Sequence, residues 1–149
     1  MDWRWVLLLT AVATLQIGCG DDDGSVTPQP CAICDTWAFT LDPVSNTGPC
    51  PATPAQQGTA TITKTGNVYG FSASGVQCSP PEACVFTGTL TDSGYVFSNS
   101  GAADSQGGTF ANTMVLQFSG DSAAGPQVST YSVNGAVMCT WVTAVTLRR

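Results

Sequence analysis

The chain contains no His. Without imidazole, Ser/His/Asp and Cys/His nucleophilic arrangements and His-ligated metal sites are excluded at the outset. Charge is scarce as well: 9% of residues are charged, 4 Lys and Arg against 10 Asp and Glu, for a net charge of −6 and a pI near 4.1. That balance leaves no basic surface for phosphates, so nucleic acid is not an expected partner. Lys64 is the only lysine, and Asp35, Asp42, Glu82, Asp92, Asp104 and Asp121 fall mostly in expected turns. Neither a Ser/Lys pair nor paired carboxylates stand out, so no enzymatic activity and no cofactor or metal is expected. Sustained helical periodicity is missing too.

What is abundant is Cys, with 7 residues, together with 16 Gly and 9 Pro. In so short a chain this suggests an exported, disulfide-stapled, turn-rich protein. The N-terminus agrees. Arg4 precedes an apolar run, Val6 to Leu15, of signal-peptide length and too short to span a bilayer. The run ends in Leu15-Gln16-Ile17-Gly18-Cys19, followed by Gly20-Asp21-Asp22-Asp23-Gly24. This segment resembles the lipobox and polar leader of small bacterial lipoproteins, notably those of myxobacteria-like organisms, with Leu15 one position earlier than the family's usual Leu.

The resemblance implies a signal peptide over residues 1–18 and lipidation, with palmitate-type acyl chains, at Cys19. It implies a membrane partner through that anchor, and Gly20 rather than Asp after the Cys implies sorting to the outer membrane of the cell envelope. Cysteine parity fits the same reading, because removing Cys19 leaves an even number that can pair completely. Residues 19–30 read as a flexible tether with nothing to bury, and its Asp run as a solvated leader rather than a calcium loop.

Cys31 to Arg149 reads as one all-β domain of about eight antiparallel strands. The runs are Thr36 to Leu41, Thr59 to Thr65, Asn67 to Ser74, Ala83 to Leu90, Tyr95 to Ser98, Thr109 to Ser119, Gln127 to Val133 and Ala136 to Leu147. Asn134-Gly135 is the strongest hairpin signal. A meander of this kind fits an up-and-down barrel, which leaves no exposed edges; a two-sheet sandwich is the alternative.

Cys31, Cys34, Cys50, Cys78, Cys84 and Cys139 are read as disulfide partners in preference to a redox motif or a metal site. Six Cys allow about 15 connectivities. Proximity favours Cys78 with Cys84, leaving the other four to tie the N-terminal loops to the last strand.

Asp35-Thr36-Trp37 at the head of the first strand resembles the Gly-x-Trp of lipocalins, with Asp35 in place of the Gly. That resemblance implies that Trp37 caps the barrel and that Arg148 or Arg149 covers it. Trp37, Trp141 and Asn112, the one polar residue on the Phe110, Met114, Leu116 face, are the candidate ligand-binding residues. Trp37 and Trp141 read first as core aromatics of a filled barrel, and Asn112 reads alternatively as a mark of a register break or an edge position. Gly120-Asp121-Ser122 resembles the start of the GDSL esterase block, but lacks its Leu and His, and reads as turn chemistry.

Two functions fit these features: a lipid-anchored envelope protein of structural or interaction type acting on another envelope protein, or a barrel that binds a small apolar ligand. In the first, the stretches Ser98 to Gly108 and Asp121 to Gln127 are the expected contact loops.

Overall fold

The structure is a computed structural model that describes residues 30–149. The expected signal peptide, the lipidation at Cys19 and all of the tether before Pro30 lie outside the described residues. Eight antiparallel strands form a closed up-and-down barrel in chain order, β1 pairing with both β2 and β8. They are β1 (Thr36–Thr47), β2 (Gln56–Thr65), β3 (Val68–Ser74), β4 (Val85–Thr91), β5 (Gly94–Ala102), β6 (Gly108–Ser119), β7 (Ser122–Val133) and β8 (Ala136–Arg148). A single 3₁₀ turn, Pro81–Cys84, precedes β4.

The alternation seen in the sequence sets the inside and the outside. On β6, Gly108, Phe110, Asn112, Met114 and Leu116 are buried, while Thr109, Ala111, Thr113 and Gln117 are exposed. Outward positions elsewhere are mostly Thr and Ser, among them Thr61, Thr63, Ser72, Thr87, Thr89 and Ser98. A polar exterior around an apolar interior is the reverse of a lipid-spanning barrel.

Local chemistry makes the turns. Asn134 and Gly135 both take positive φ, 49° and 81°, so the two-residue β7–β8 connection twists with its strands. Gly125 is needed for close approach: a Cβ there would lie 1.7 Å from the Val115 carbonyl oxygen. Asn134-Gly135 thus turns as the sequence predicts, and Gly120-Asp121 is likewise a tight turn, between Ser119 and Ser122.

Three stretches differ from the sequence reading. β1 runs past Leu41 to Thr47, because Asp42, Pro43 and Asn46 pair with β8 through an irregularity between Pro43 and Ser45. Ser98 to Ala102 belongs to β5, and Ser122 to Gln127 belongs to β7, so most of both expected contact loops is strand. The disulfides join Cys78 with Cys84, as expected, but Cys31 with Cys34 and Cys50 with Cys139. Only Cys50 therefore reaches the last strand. Cys31 and Cys34 close on each other within the loop before β1, where the Cys34 N–H donates to the Cys31 carbonyl.

The core fills one end of the barrel. Phe71 packs edge-on against Phe39 and Phe86 and tilts against Phe97, while Tyr69, Tyr95, Phe118 and Trp37 form a separate chain of edge-on ring contacts. Odd-numbered strands start at this packed end and even-numbered strands finish there. The chain enters at Pro30 and leaves at Arg149 on the same side, and the long β1–β2, β3–β4 and β5–β6 connections lie at the other, here called the mouth.

Candidate functional site

The two ends of the barrel are built for different tasks. At the packed end, Trp37 is 1% exposed and its Nε1 donates to the Ile33 carbonyl at 3.1 Å. The Arg149 guanidinium lies 4.2 Å over the Trp37 ring. It is held there by Asp35 at 3.2 Å, by Asp121 at 3.8 Å and by the Ala32 carbonyl at 2.9 Å. The Cys31–Cys34 loop thus closes this end as a plug, with Ile33 inserted and Arg149 clamping it. Of the two arginines considered from sequence, Arg149 covers Trp37, and Arg148 pairs in register with Ala38 and Ser122 instead. Trp37 is a closing core residue, not part of the cavity described next.

At the mouth, polar side chains occupy inward positions. The strand registers place Asn99 opposite Asn112, Asn112 opposite Ser129 and Ser129 opposite Trp141, forming one row across β5 to β8. One step deeper, Gln127 lies opposite both Met114 and Thr143. Asn112, Ser129 and Trp141 of this row, with Gln127 and Thr143, border a cavity of about 350 Å³, walled also by Leu41, Phe110 and Tyr131. Its volume falls within the range of small-molecule sites. Asn112 and Trp141 therefore sit together in its wall, whereas Trp37 lies at the far end of the barrel.

Two stapled loops form the rim. The Cys50–Cys139 bridge, the Trp141 Nε1 bond to the Pro51 carbonyl at 2.9 Å and the Asn46 Nδ2 bond to the Cys50 carbonyl at 3.1 Å fix the β1–β2 connection, which contributes Thr53 and Pro54. The Cys78–Cys84 bridge fixes the β3–β4 connection, which contributes Gln77, Ser79 and Ala83. A rim held in this way is ordered before anything enters.

The hydrogen bonds of the row are directional. Asn99 Nδ2 reaches the carbonyls of Val85 at 2.8 Å, Ala83 at 3.0 Å and Glu82 at 3.3 Å. Asn112 Nδ2 donates to Asn99 Oδ1 at 2.7 Å, and Gln127 Nε2 to Ser129 Oγ at 3.1 Å. Thr143 Oγ1 is buried in the cavity wall with no hydrogen-bond partner among the described residues. Tyr131 turns its hydroxyl to Asp104 at 2.7 Å, and Asp104 in turn accepts the Gln106 and Gly108 backbone N–H groups. These bonds hold the Asp104 carboxyl below its ordinary pKa, the Tyr131 bond contributing most, and the same bond raises the Tyr131 hydroxyl. Tyr95 is also raised, first by burial and then by its contact with Tyr69.

No family model, no curated protein and no solved structure matches the chain. The site must therefore be read from its own chemistry. It offers neutral amide and hydroxyl groups beside aromatic surface, an arrangement suited to holding an uncharged molecule by shape and a few hydrogen bonds. Among the described residues, no group of three or more His, Cys, Asp or Glu side chains could hold a metal ion.

Sequence reasoning reached Asn112 and Trp141 but missed Asn99, Gln127, Ser129, Tyr131 and Thr143. The signal was present in the period-two pattern: Asn99 continues the inward face of Tyr95 and Phe97, and Thr143 that of Trp141 and Val145.

Proposed function

We propose that this chain is a lipid-anchored cell-envelope protein that acts by binding a small molecule in the mouth of its barrel. The observation that carries the reading is the uncharged cavity beside Trp141, bordered by a row of polar side chains where a filled barrel would place apolar ones. A barrel whose only task was to present its outer surface would gain stability from packing this space.

The anchor is supported by the Leu15-Gln16-Ile17-Gly18-Cys19 segment and by complete pairing of the six remaining Cys. Both ends of the barrel chain, Pro30 and Arg149, lie at the packed end. An anchor upstream of Pro30 would therefore hold the mouth away from the bilayer, open to the aqueous side.

Native mass spectrometry of the protein purified from its own envelope tests the binding reading. The expected result is a small-molecule adduct that is lost from Ser129→Phe, whose ring would occupy the cavity. An adduct retained equally by that variant would place binding elsewhere and overturn the reading. For the anchor, labelled palmitate is expected on the wild-type chain and absent from Cys19→Ala; label that persists in the variant overturns the assignment.

A further inference from the structure

We propose that the mouth cavity selects an uncharged, ring-sized molecule that donates a hydrogen bond, and that the Asn112 side-chain oxygen is the acceptor that recognises it. The proposal rests on the binding reading of the cavity and names the ligand chemistry that reading leaves open.

The argument begins at the β3–β4 connection. Carbonyl oxygens only accept hydrogen bonds, so the Asn99 group facing the Val85, Ala83 and Glu82 carbonyls must be its amide nitrogen. The Asn99 oxygen then faces Asn112, which must offer its own nitrogen, at 2.7 Å. With both amides oriented, Asn112 Oδ1 is the atom left over. It accepts no hydrogen bond from the described residues, belongs to a residue 7% exposed that lines the cavity, and is open to whatever enters. An amide oxygen has two acceptor positions, and a molecule that displaced water from them without offering a donor would leave them unmet at a cost. A donor on a bound molecule would meet them.

The rest of the wall narrows the class. Thr143 Oγ1, on β8, is a fully buried polar atom without a partner among the described residues, and it can accept or donate. Trp141, Phe110 and Leu41 provide the apolar surface, in a volume of about 350 Å³. Tyr131 is the one lining side chain able to ionise, and its proton is committed to Asp104. No charged group in the wall compensates a charge on the ligand, so an ion entering the cavity would lose its hydration without replacement. The wholly apolar ligand expected from the sequence is disfavoured for the same reason, since it would leave Asn112 Oδ1 unmet.

Calorimetric titration of the full-length protein in detergent with phenol, anisole and benzoate tests this. Phenol carries a donor, anisole has nearly the same shape without one, and benzoate is charged. Phenol is expected to bind roughly tenfold more tightly than anisole, the factor that one net hydrogen bond gives, and benzoate more weakly than either. In Asn112→Leu the preference for phenol should vanish while anisole binding persists. Because that substitution removes a hydrogen bond and can weaken folding, the Asn112 side-chain amide resonances of the wild-type protein give a second readout. They are expected to shift with phenol and not with anisole. Equal binding of phenol and anisole overturns the donor-recognition proposal and leaves the binding reading standing. Benzoate binding as tightly as phenol overturns the uncharged class. Binding of none of the three, together with the absence of an adduct from the envelope, overturns the binding reading itself.

Discussion

Breaking the Cys50–Cys139 bridge should cost far more than breaking either of the others. A disulfide stabilises mainly by restricting the unfolded chain, and the effect grows with the logarithm of the loop it closes. The sequence separations are 89 for Cys50–Cys139, 6 for Cys78–Cys84 and 3 for Cys31–Cys34. The chain-entropy relation then gives about 4.6, 2.2 and 1.6 kcal/mol. Burial adds to the ranking, because Cys139 is 1% exposed while Cys31, Cys34, Cys78 and Cys84 are only partly buried. Set against a typical domain stability of about 5–15 kcal/mol, the first loss threatens the fold and the third does not. Three double variants, Cys50→Ala with Cys139→Ala, Cys78→Ala with Cys84→Ala, and Cys31→Ala with Cys34→Ala, would be compared with the wild type by urea unfolding. The expected order of destabilisation follows the loop lengths, with unchanged slopes for the two local bridges. Equal losses for all three, or the greatest loss at Cys31–Cys34, would refute the argument.

Arg149→Ala removes the cation over Trp37 and the donor to the Ala32 carbonyl; a loss of about 1–2 kcal/mol is expected in the same unfolding assay, with little contribution from the exposed Asp121 pair. Gly125→Val forces a Cβ into the Val115 carbonyl and should cost roughly 2–4 kcal/mol, read as a fall in melting temperature. The Asp104–Tyr131 bond couples folding to pH at both extremes. Asp104 has its folded pKa lowered, so its contribution is present above the ordinary carboxylate value near 3.8 and is lost as pH falls through the lower folded value. Tyr131 has its folded pKa raised, so its contribution is complete below pH 10.0 and is lost as pH rises through the higher folded value. In Asp104→Asn, a tyrosine titration followed by NMR should bring Tyr131 back toward its ordinary value, and an unmoved Tyr131 would show that the bond is not formed in solution.

The barrel was legible where local chemistry decides the outcome. Alternation on β6 exposed the inward face of Phe110, Asn112 and Met114, and Asn134-Gly135 required a tight turn whatever surrounded it. It was illegible where neighbours impose extended structure on a sequence that would not choose it. Ala123-Ala124-Gly125-Pro126 has the composition of a loop, yet β8 pairs with all four residues and β6 with Ala123 and Ala124. Pro43 interrupts β1 in the same way, and an irregular register there lets the strand continue. Of the site, the sequence pointed to Asn112 and Trp141 because each stands in a long run with clear period. Asn99 was hidden because β5 reads as ending at Ser98, where Asn, Ser and Gly follow. The pairing of Cys50 with Cys139 was hidden because only closure of β1 onto β8 brings them together.

The distribution of packing and staples is itself an argument about the mouth. The packed end combines a chain of aromatic contacts from Trp37 to Tyr69, a buried Ile33 and a clamped C-terminal Arg149, and its bridge closes the shortest loop of the three. The mouth gives up part of that packing to Asn112, Gln127, Ser129 and Thr143, and carries both of the bridges that hold longer loops. Polar groups inside a barrel cost stability unless their partners are held in position. Asn99 is held by carbonyls of the Cys78–Cys84 segment and of Val85, which directly follows it, and Trp141 by a carbonyl beside Cys50. The staples therefore lie where the interior is least able to hold itself together, and they fix Asn99, which orients the Asn112 amide, and Trp141, which walls the same cavity. A barrel stapled for bulk stability alone would have no reason to place its covalent constraints around its least packed region.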